Sequence, residues 1–451
     1  MKIGLEMHFQ LPTRSKLFCS CPTSGGEPNS SICPTCLGFP GSRPRLNRRA
    51  LEMGVSIARF LDCEIPATTW FSRKTYFYPD LPKNFQITQY DTPIGERGTF
   101  EFQGKTVRIT RVHLEEDPGR IKRVGKSGEE VSLIDYNRSG IPLVEIVTEP
   151  DLRSPAEARD FVTDLLIELR HLVNLSEGGD QTVRVDSNIS IGKERVEIKN
   201  ILGLKNMERG LKFEAIRQTR LLKAGKKVVR ETRRFDEERK VTVSARKKEL
   251  EEDYGYIGEP DLGVFNLETM VRGTELPETP LRRAERISRE CSVPGTMARQ
   301  IVLTSHTLAD LMEHLCSSLP PESVVPWISG ILSSHATMLE ERYDDALADE
   351  IASIIGKVID GRITDLEGRR KMETLLSGGE EIKEGGEGGP QPELEGIVMD
   401  LVESTPSIVD DYRENEKAAN HLIGQVMRAT GGRFSSGDVV DAVKRELRRR
   451  L

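Results

Sequence analysis

The chain has 451 residues, too many for one ordinary core of about 100–200, so two or three domains are expected. With 37% hydrophobic and 30% charged residues and no apolar run near the roughly eighteen needed to span a bilayer, a membrane-embedded protein is not expected, and without a secretory signal the cytoplasm is the expected compartment. The net charge of -7 (65 basic, 72 acidic) excludes a uniformly basic nucleic-acid coat. The charge is segregated all the same. Lys212–Glu249 holds 14 Lys plus Arg against 6 Asp plus Glu, Glu380–Asp411 one against 10, and Tyr412–Leu451 nine against 5.

Residues 2–10 alternate Ile3, Leu5, Met7 and Phe9 with polar neighbours, the period-two signature of a half-buried strand that puts Glu6 and His8 on one face. That face is either an exposed polar one or part of a metal site. Next come Cys19-x-Cys21 and, eleven residues on, Cys33-x-x-Cys36. Two thiol pairs joined by a loop suit structural tetrahedral Zn²⁺, and four cysteines leave no open catalytic position. The odd total of seven cysteines without a secretory signal argues against a disulfide framework, and Cys63, Cys291 and Cys316 read as small buried residues. The run Phe71–Asp80 concentrates aromatics with Arg73 and Lys74, either for packing or for stacking a base and gripping phosphate. Gly104-Lys105-Thr106 and Gly125-Lys126-Ser127 lack the first glycine of a P-loop, so Walker-type ATP binding is not supported.

Acidic groups recur in His113–Asp117 and Leu143–Asp151, where Glu145 stands in a β-prone run. Clustered carboxylates suit Mg²⁺, which phosphoryl transfer uses to offset phosphate charge. Ser154-Pro155-Ala156-Glu157 reads as a capping box opening a helix of about five turns, with Phe161, Leu165, Leu169 and Leu172 on one face. Val183–Ile191 and Arg195–Lys199 alternate about a Gly192-Lys193 turn; a hairpin there would pair Ile189 with Val196, Asn188 with Glu197 and Asp186 with Lys199. Residues 281–375 read as consecutive helices interrupted at Pro320-Pro321. The glycine- and glutamate-rich stretch after Ser377 reads as a flexible linker, and a small helical tail with a basic last helix follows.

Taken together, Gly4–His8, Arg73–Asp80, Arg111–Asp117, Asn137–Glu145, Arg184–Ser190 and Glu231–Phe235 closely resemble the B-subunit family of tRNA-dependent Asp/Glu amidotransferases (GatB), over essentially the whole chain. The resemblance implies an α+β fold: a mixed-sheet cradle at 1–280 with the zinc site, a helical domain at 281–376, a linker at 377–393 and a tRNA-binding tail at 394–451. It also implies ATP-dependent phosphorylation of the side-chain carboxylate of Asp or Glu misacylated on tRNA(Asn) or tRNA(Gln). Ammonia from a separate GatA-like amidase subunit then forms the amide, and a small GatC-like subunit completes a heterotrimer.

By motif position the resemblance implies His8, Glu116 and Glu145 as ligands of one Mg²⁺, with Glu115 as the alternative to Glu116. Glu6, Asp186 and Glu197 would hold a second Mg²⁺, and Glu6, His8, Lys74, Glu116 and Glu145 would form the catalytic set. Arg73, Lys74, Tyr78 and Asn188 would contact ATP. Gly255 stands where relatives tend to carry an arginine before Glu259-Pro260-Asp261. Two other readings remain open: a non-catalytic, zinc-stabilised tRNA adaptor, and a ligase acting on a small free carboxylic acid.

Overall fold

The alternation of residues 2–10 becomes strand β1 (Lys2–Gln10), with Ile3, Leu5, Met7 and Phe9 each at most 1% exposed and Glu6 and His8 on the opposite face. In the computed structural model β1 lies near the middle of an eleven-stranded mixed sheet, and the chain is α+β. The structure describes all residues except 126–130, 176–182, 247–254, 378–390, 406–407, 409–411, 414–418, 431–433, 435 and 451. Most of the expected 377–393 linker therefore lies outside the described residues, as do Lys247, Lys248, Asp253 and Tyr254. Two compact units are formed, Met1–Thr279 and Pro280–Leu451.

In the first unit β1 is followed by β2 (Thr68–Thr69), β3 (Ser72–Thr75), β4 (Phe85–Thr88), β5 (Gly95–Phe102), β6 (Lys105–Glu116), β7 (Arg120–Val124), β8 (Val131–Asp135) and β9 (Pro142–Thr148). After these come β10 (Val183–Ser190), β11 (Val196–Leu202), β12 (Glu231–Asp236), β13 (Val241–Arg246), β14 (Gly255–Gly258) and β15 (Phe265–Asn266). The large sheet runs β13-β12-β11-β10-β1-β9-β6-β4-β3-β14, with β5 added against β6. The β10–β11 hairpin pairs Ile189 with Val196 and Asn188 with Glu197 as the alternation predicts, but the register shifts between Val185 and Ser187. Such an irregularity leaves a residue without a simple opposite number.

Helices α1 (Pro34–Leu37), α2 (Arg48–Phe60), α3 (Pro155–Val173), α4 (Leu204–Lys223) and α5 (Glu268–Gly273) complete this unit. Helix α2 packs on β5 and β6, and α4 on β10 and β11, so one face of the sheet is covered and apolar. Each fully buried aliphatic or aromatic side chain there contributes about 1.5–3 kcal/mol. Ser154 caps α3 by accepting from the Glu157 N–H. The Glu157 carboxylate accepts instead from Arg153 N–H and pairs with Lys105, so the capping box is realised in one direction only.

Among the described residues the second unit is helical. Leu308, Leu311, Met312 and Leu315 of the helix His306–Ser318 are fully buried, as their spacing predicts, and the next helix begins at Pro321. A separate apolar cluster joins Leu394, Val398, Val402, Leu422, Val426, Val439, Val443 and Leu447 from the helices Gln391–Ser404, Ala419–Ala429 and Ser436–Arg450.

Candidate active site

The face of the large sheet opposite the apolar one gathers polar residues, most of them buried, from strands far apart in sequence. His8 on β1 opposes Glu145 on β9, which opposes His113 on β6; on the other side of β1, Arg184 opposes His8 and Asp186 opposes Glu6. Cross-strand neighbours on one face have Cβ atoms only about 4.5–5.5 Å apart, so these side chains meet. His8 Nε2 lies 3.1 Å from Glu145 Oε2 and 3.4 Å from Glu115 Oε1, and His113 Nε2 lies 3.4 Å from the same Glu145 oxygen. Adjacent donors around an octahedral cation with bonds near 2.1 Å are about 3.0 Å apart, so His8, Glu115 and Glu145 already stand close to one face of such a shell.

Glu116 does not join them. Adjacent strand residues point to opposite faces, and Glu116 turns away to pair with Lys83 at 2.5 Å and accept the Ile87 N–H at 2.8 Å. With Arg73 and Glu259 it lines a separate cavity of about 240 Å³. Arg73 is held there by a two-pronged pair with Glu259 at 2.7 and 2.8 Å. Its neighbour Lys74, which opposes Gln86, shares the face of Thr88 and Glu115. Tyr78 stands exposed in the segment after β3.

Glu6, Asp186 and Glu197 share this polar face without converging as the His8 group does. Glu6 accepts from Asn188 Nδ2 at 2.9 Å and Glu197 from the Thr232 hydroxyl at 2.8 Å, while Lys199 sits 3.7 Å from both Asp186 and Glu197. Asn188 Oδ1 and His113 Nδ1 are buried and make no hydrogen bond. An uncompensated buried acceptor costs roughly 1–3 kcal/mol, which a bound cation or substrate would recover.

The site's electrostatics favour a cation. Burial pushes the Glu6 carboxyl above its ordinary range, and the neighbouring carboxylates Glu145, Asp186 and Glu197 push it further. Burial works against a charged His8, but Glu145 and Glu115 overcome it and raise the imidazole to about 9. Burial would likewise raise Glu145, yet His113 and His8 hold it well below the carboxylate range. Without a metal, a proton on His8 therefore occupies the space between two carboxylates. Beside this group, Arg184 reaches Asp117, which also faces Arg138 at 3.3 Å.

Residue order alone does not single out His113, Arg184 or Lys83 as site residues. The alternation Arg111, His113, Glu115 against Val112, Leu114, Glu116 is the one signal that could have found the first.

The four thiols of Cys19, Cys21, Cys33 and Cys36 lie within 4.8 Å of one another. A tetrahedral Zn²⁺ with bonds near 2.3 Å needs sulfurs about 3.8 Å apart, so the donor set fits. The Cys36 thiol is held down to about 5 by the Cys19 thiol donating to it, against burial, with help from the Cys33 N–H and Lys16. Its sulfur is 3.1 Å from that N–H. The Cys19 thiol is correspondingly pushed up, and burial takes Cys21 to about 11.

Among the basic stretches, Lys212 pairs with Glu208, and Arg217 and Arg233 pair with Glu214 and Glu231. In the last helix Arg445 pairs with Glu395 and Arg450 with Glu403 and Glu446. The Arg445–Glu395 pair is exposed and worth about 0–1 kcal/mol, whereas Glu214 is wholly buried and keeps Arg217 and Arg233 committed to it. No described helix is long and apolar enough to cross a membrane.

Two family models match the chain: a GatB/GatE catalytic domain over residues 1–272 and a GatB domain over residues 310–447. The B subunit of the aspartyl/glutamyl-tRNA(Asn/Gln) amidotransferase of Methanoregula boonei is 39% identical, over 97% of this chain and 96% of its own length. The corresponding B subunits from Methanospirillum hungatei and Moorella thermoacetica are 39% and 38% identical, covering 100% and 99% of this chain and 98% and 99% of their own lengths.

Proposed function

The chain belongs to the GatB family, and on that premise we propose that it is the B subunit of a tRNA-dependent amidotransferase. In this reading a carboxylate oxygen of Asp or Glu esterified to tRNA attacks the γ-phosphorus of ATP, the bond to the ADP oxygen breaks, and an acyl phosphate results. Ammonia then attacks the carbonyl carbon, phosphate leaves with the bonding pair, and the nitrogen loses a proton to give the amide. The ammonia comes from glutamine hydrolysed on an amidase subunit, in a cytoplasmic complex completed by a small third subunit.

The observation that supports this best is the convergence of His8, Glu115 and Glu145 on one point of the polar sheet face. These residues would hold Mg²⁺, which would offset the charge developing on the transferred phosphoryl group. Glu6, Asp186 and Glu197 would hold a second cation once Lys199 is displaced from between the latter two. His113 would help to orient Glu145, and Lys74, on the same face, would meet phosphate oxygens. Tyr78 and Asn188 would border the nucleotide, and Arg73 stays committed to Glu259. The four cysteines would hold structural zinc, and the tail at 394–451 would meet tRNA phosphates.

The test is phosphate release by the chain with its partner subunits at millimolar Mg²⁺, with and without misacylated tRNA. Release that requires both ATP and aminoacyl-tRNA supports the reading. Tight tRNA binding without ATP turnover would replace it with the adaptor.

A further inference from the structure

We propose that Lys16 is the built-in counter-charge of the four-cysteine site, and that through it metal occupancy holds the turn at residues 136–140 in place. The proposal rests on reading those cysteines as a zinc site. Lys16 is among the largest side chains wholly withdrawn from solvent, at 0% exposure. Its ammonium donates to the carbonyl oxygens of Ser31 at 2.9 Å and Tyr136 at 3.4 Å and lies 3.7 Å from Cys36 Sγ. Among the described residues it forms no ion pair with a carboxylate.

A buried ammonium needs an anion as well as acceptors, because carbonyl dipoles solvate the charge without cancelling it. The thiolate group is the anion at hand. Four thiolates around one divalent ion carry a net charge of about minus two, which a single lysine halves. Second-sphere partners of this kind set the affinity of a metal site as well as its geometry.

The contacts of Lys16 also tie the site to the cradle. Its N–H bonds Cys21 O at 2.9 Å, and the next residue, Leu17, bonds Gly140 O at 2.8 Å. Gly140 has φ +88°, and a Cβ there would stand 3.4 Å from Lys16 Cδ and 3.7 Å from Cys36 Cβ. Its own N–H bonds Asp117 O at 2.8 Å, and the Asp117 carboxylate receives Arg184, the residue opposite His8. An intact thiolate–ammonium contact therefore fixes one end of a continuous run of bonds that ends beside the candidate active site.

The test uses the full chain loaded with zinc. Lys16→Met keeps the length of the stem and removes the charge, and it should release zinc to a chelator about 10–100-fold faster than the unaltered chain. Equal release rates would overturn the proposal. Because Lys16→Met could fail to fold, a second measurement uses the unaltered chain. Acetylation by acetic anhydride, read peptide by peptide, should spare Lys16 while zinc is bound and reach it after chelation, with the exposed Lys193 as internal standard. Protection of Lys16 that is unchanged by removing zinc would overturn the coupling. An unaltered chain that takes up no zinc would overturn the reading of the cysteines and the role of Lys16 with it, whereas zinc uptake with equal release rates overturns the role alone.

Discussion

Two adjacent glutamates on β6 should respond in opposite ways to the same substitution. Glu115→Gln removes a carboxylate whose oxygen is 3.4 Å from His8 Nε2 and leaves a neutral side chain of the same shape. Losing a direct ligand should weaken the divalent cation by at least the roughly 10–100-fold that losing a supporting partner costs, while His8 keeps its closer partner Glu145 at 3.1 Å, so the melting temperature falls less than in Glu116→Gln. Glu116→Gln instead strands Lys83, whose side chain is 7% exposed and 2.5 Å from the Glu116 carboxylate. Breaking a buried pair from one side costs about 3–5 kcal/mol, which for a unit of this size lowers the melting temperature by roughly 6–20 °C. Cation affinity should survive. Mn²⁺ binding followed by electron paramagnetic resonance, with thermal unfolding of the same samples, separates the two effects. Loss of Mn²⁺ binding in Glu116→Gln but not in Glu115→Gln would refute the assignment of faces.

Two further outcomes are expected. Because His8 is raised from 6.5 to about 9 in the metal-free fold, its contribution to stability is fully present below about pH 6.5 and is lost as pH rises through 9. This amounts to about 3 kcal/mol across that window. Denaturant unfolding of metal-free protein at several pH values should show the loss and His8→Gln should abolish it, while Mn²⁺ affinity should climb over the same window as metal replaces proton. Deleting residues 391–451 removes the separate apolar cluster of the tail and its arginines together. Affinity for tRNA should fall, with a shallower dependence on salt between about 50 and 200 mM; filter binding that is unchanged in both respects would argue against the tail as a phosphate-binding surface.

Much of this could be read from residue order because the site lies on strands. Period two put Glu6 and His8 on one face of β1, and the Asn188–Glu197 pairing followed from a two-residue turn. Glu116 marks the limit of such inference. Motif position favours it over Glu115, yet the apolar residues Val112 and Leu114 share its parity and face the core. Long-range electrostatics were not legible. Lys199 beside Asp186 and Glu197 follows from the hairpin, but nothing near Lys16 in sequence announces that it ends against a thiol twenty residues away. The register shift between β10 and β11 was also hidden, since a one-residue irregularity leaves no mark in a short alternating run.

The place of β1 in the sheet sets a timetable for synthesis. Its neighbours are β9, ending at Thr148, and β10, ending at Ser190. At roughly 5–20 residues per second, a ribosome takes on the order of 10–40 s to deliver the second of them after the first strand has emerged. Until β9 is made both edges of the segment holding Ile3, Leu5, Met7 and Phe9 are bare, and one stays bare until β10 follows, the kind of stretch that pairs with the wrong chain. A nascent copy of this protein is therefore a natural client for chaperones acting at the ribosome, and synonymous codons before residue 190 become a means of tuning its yield.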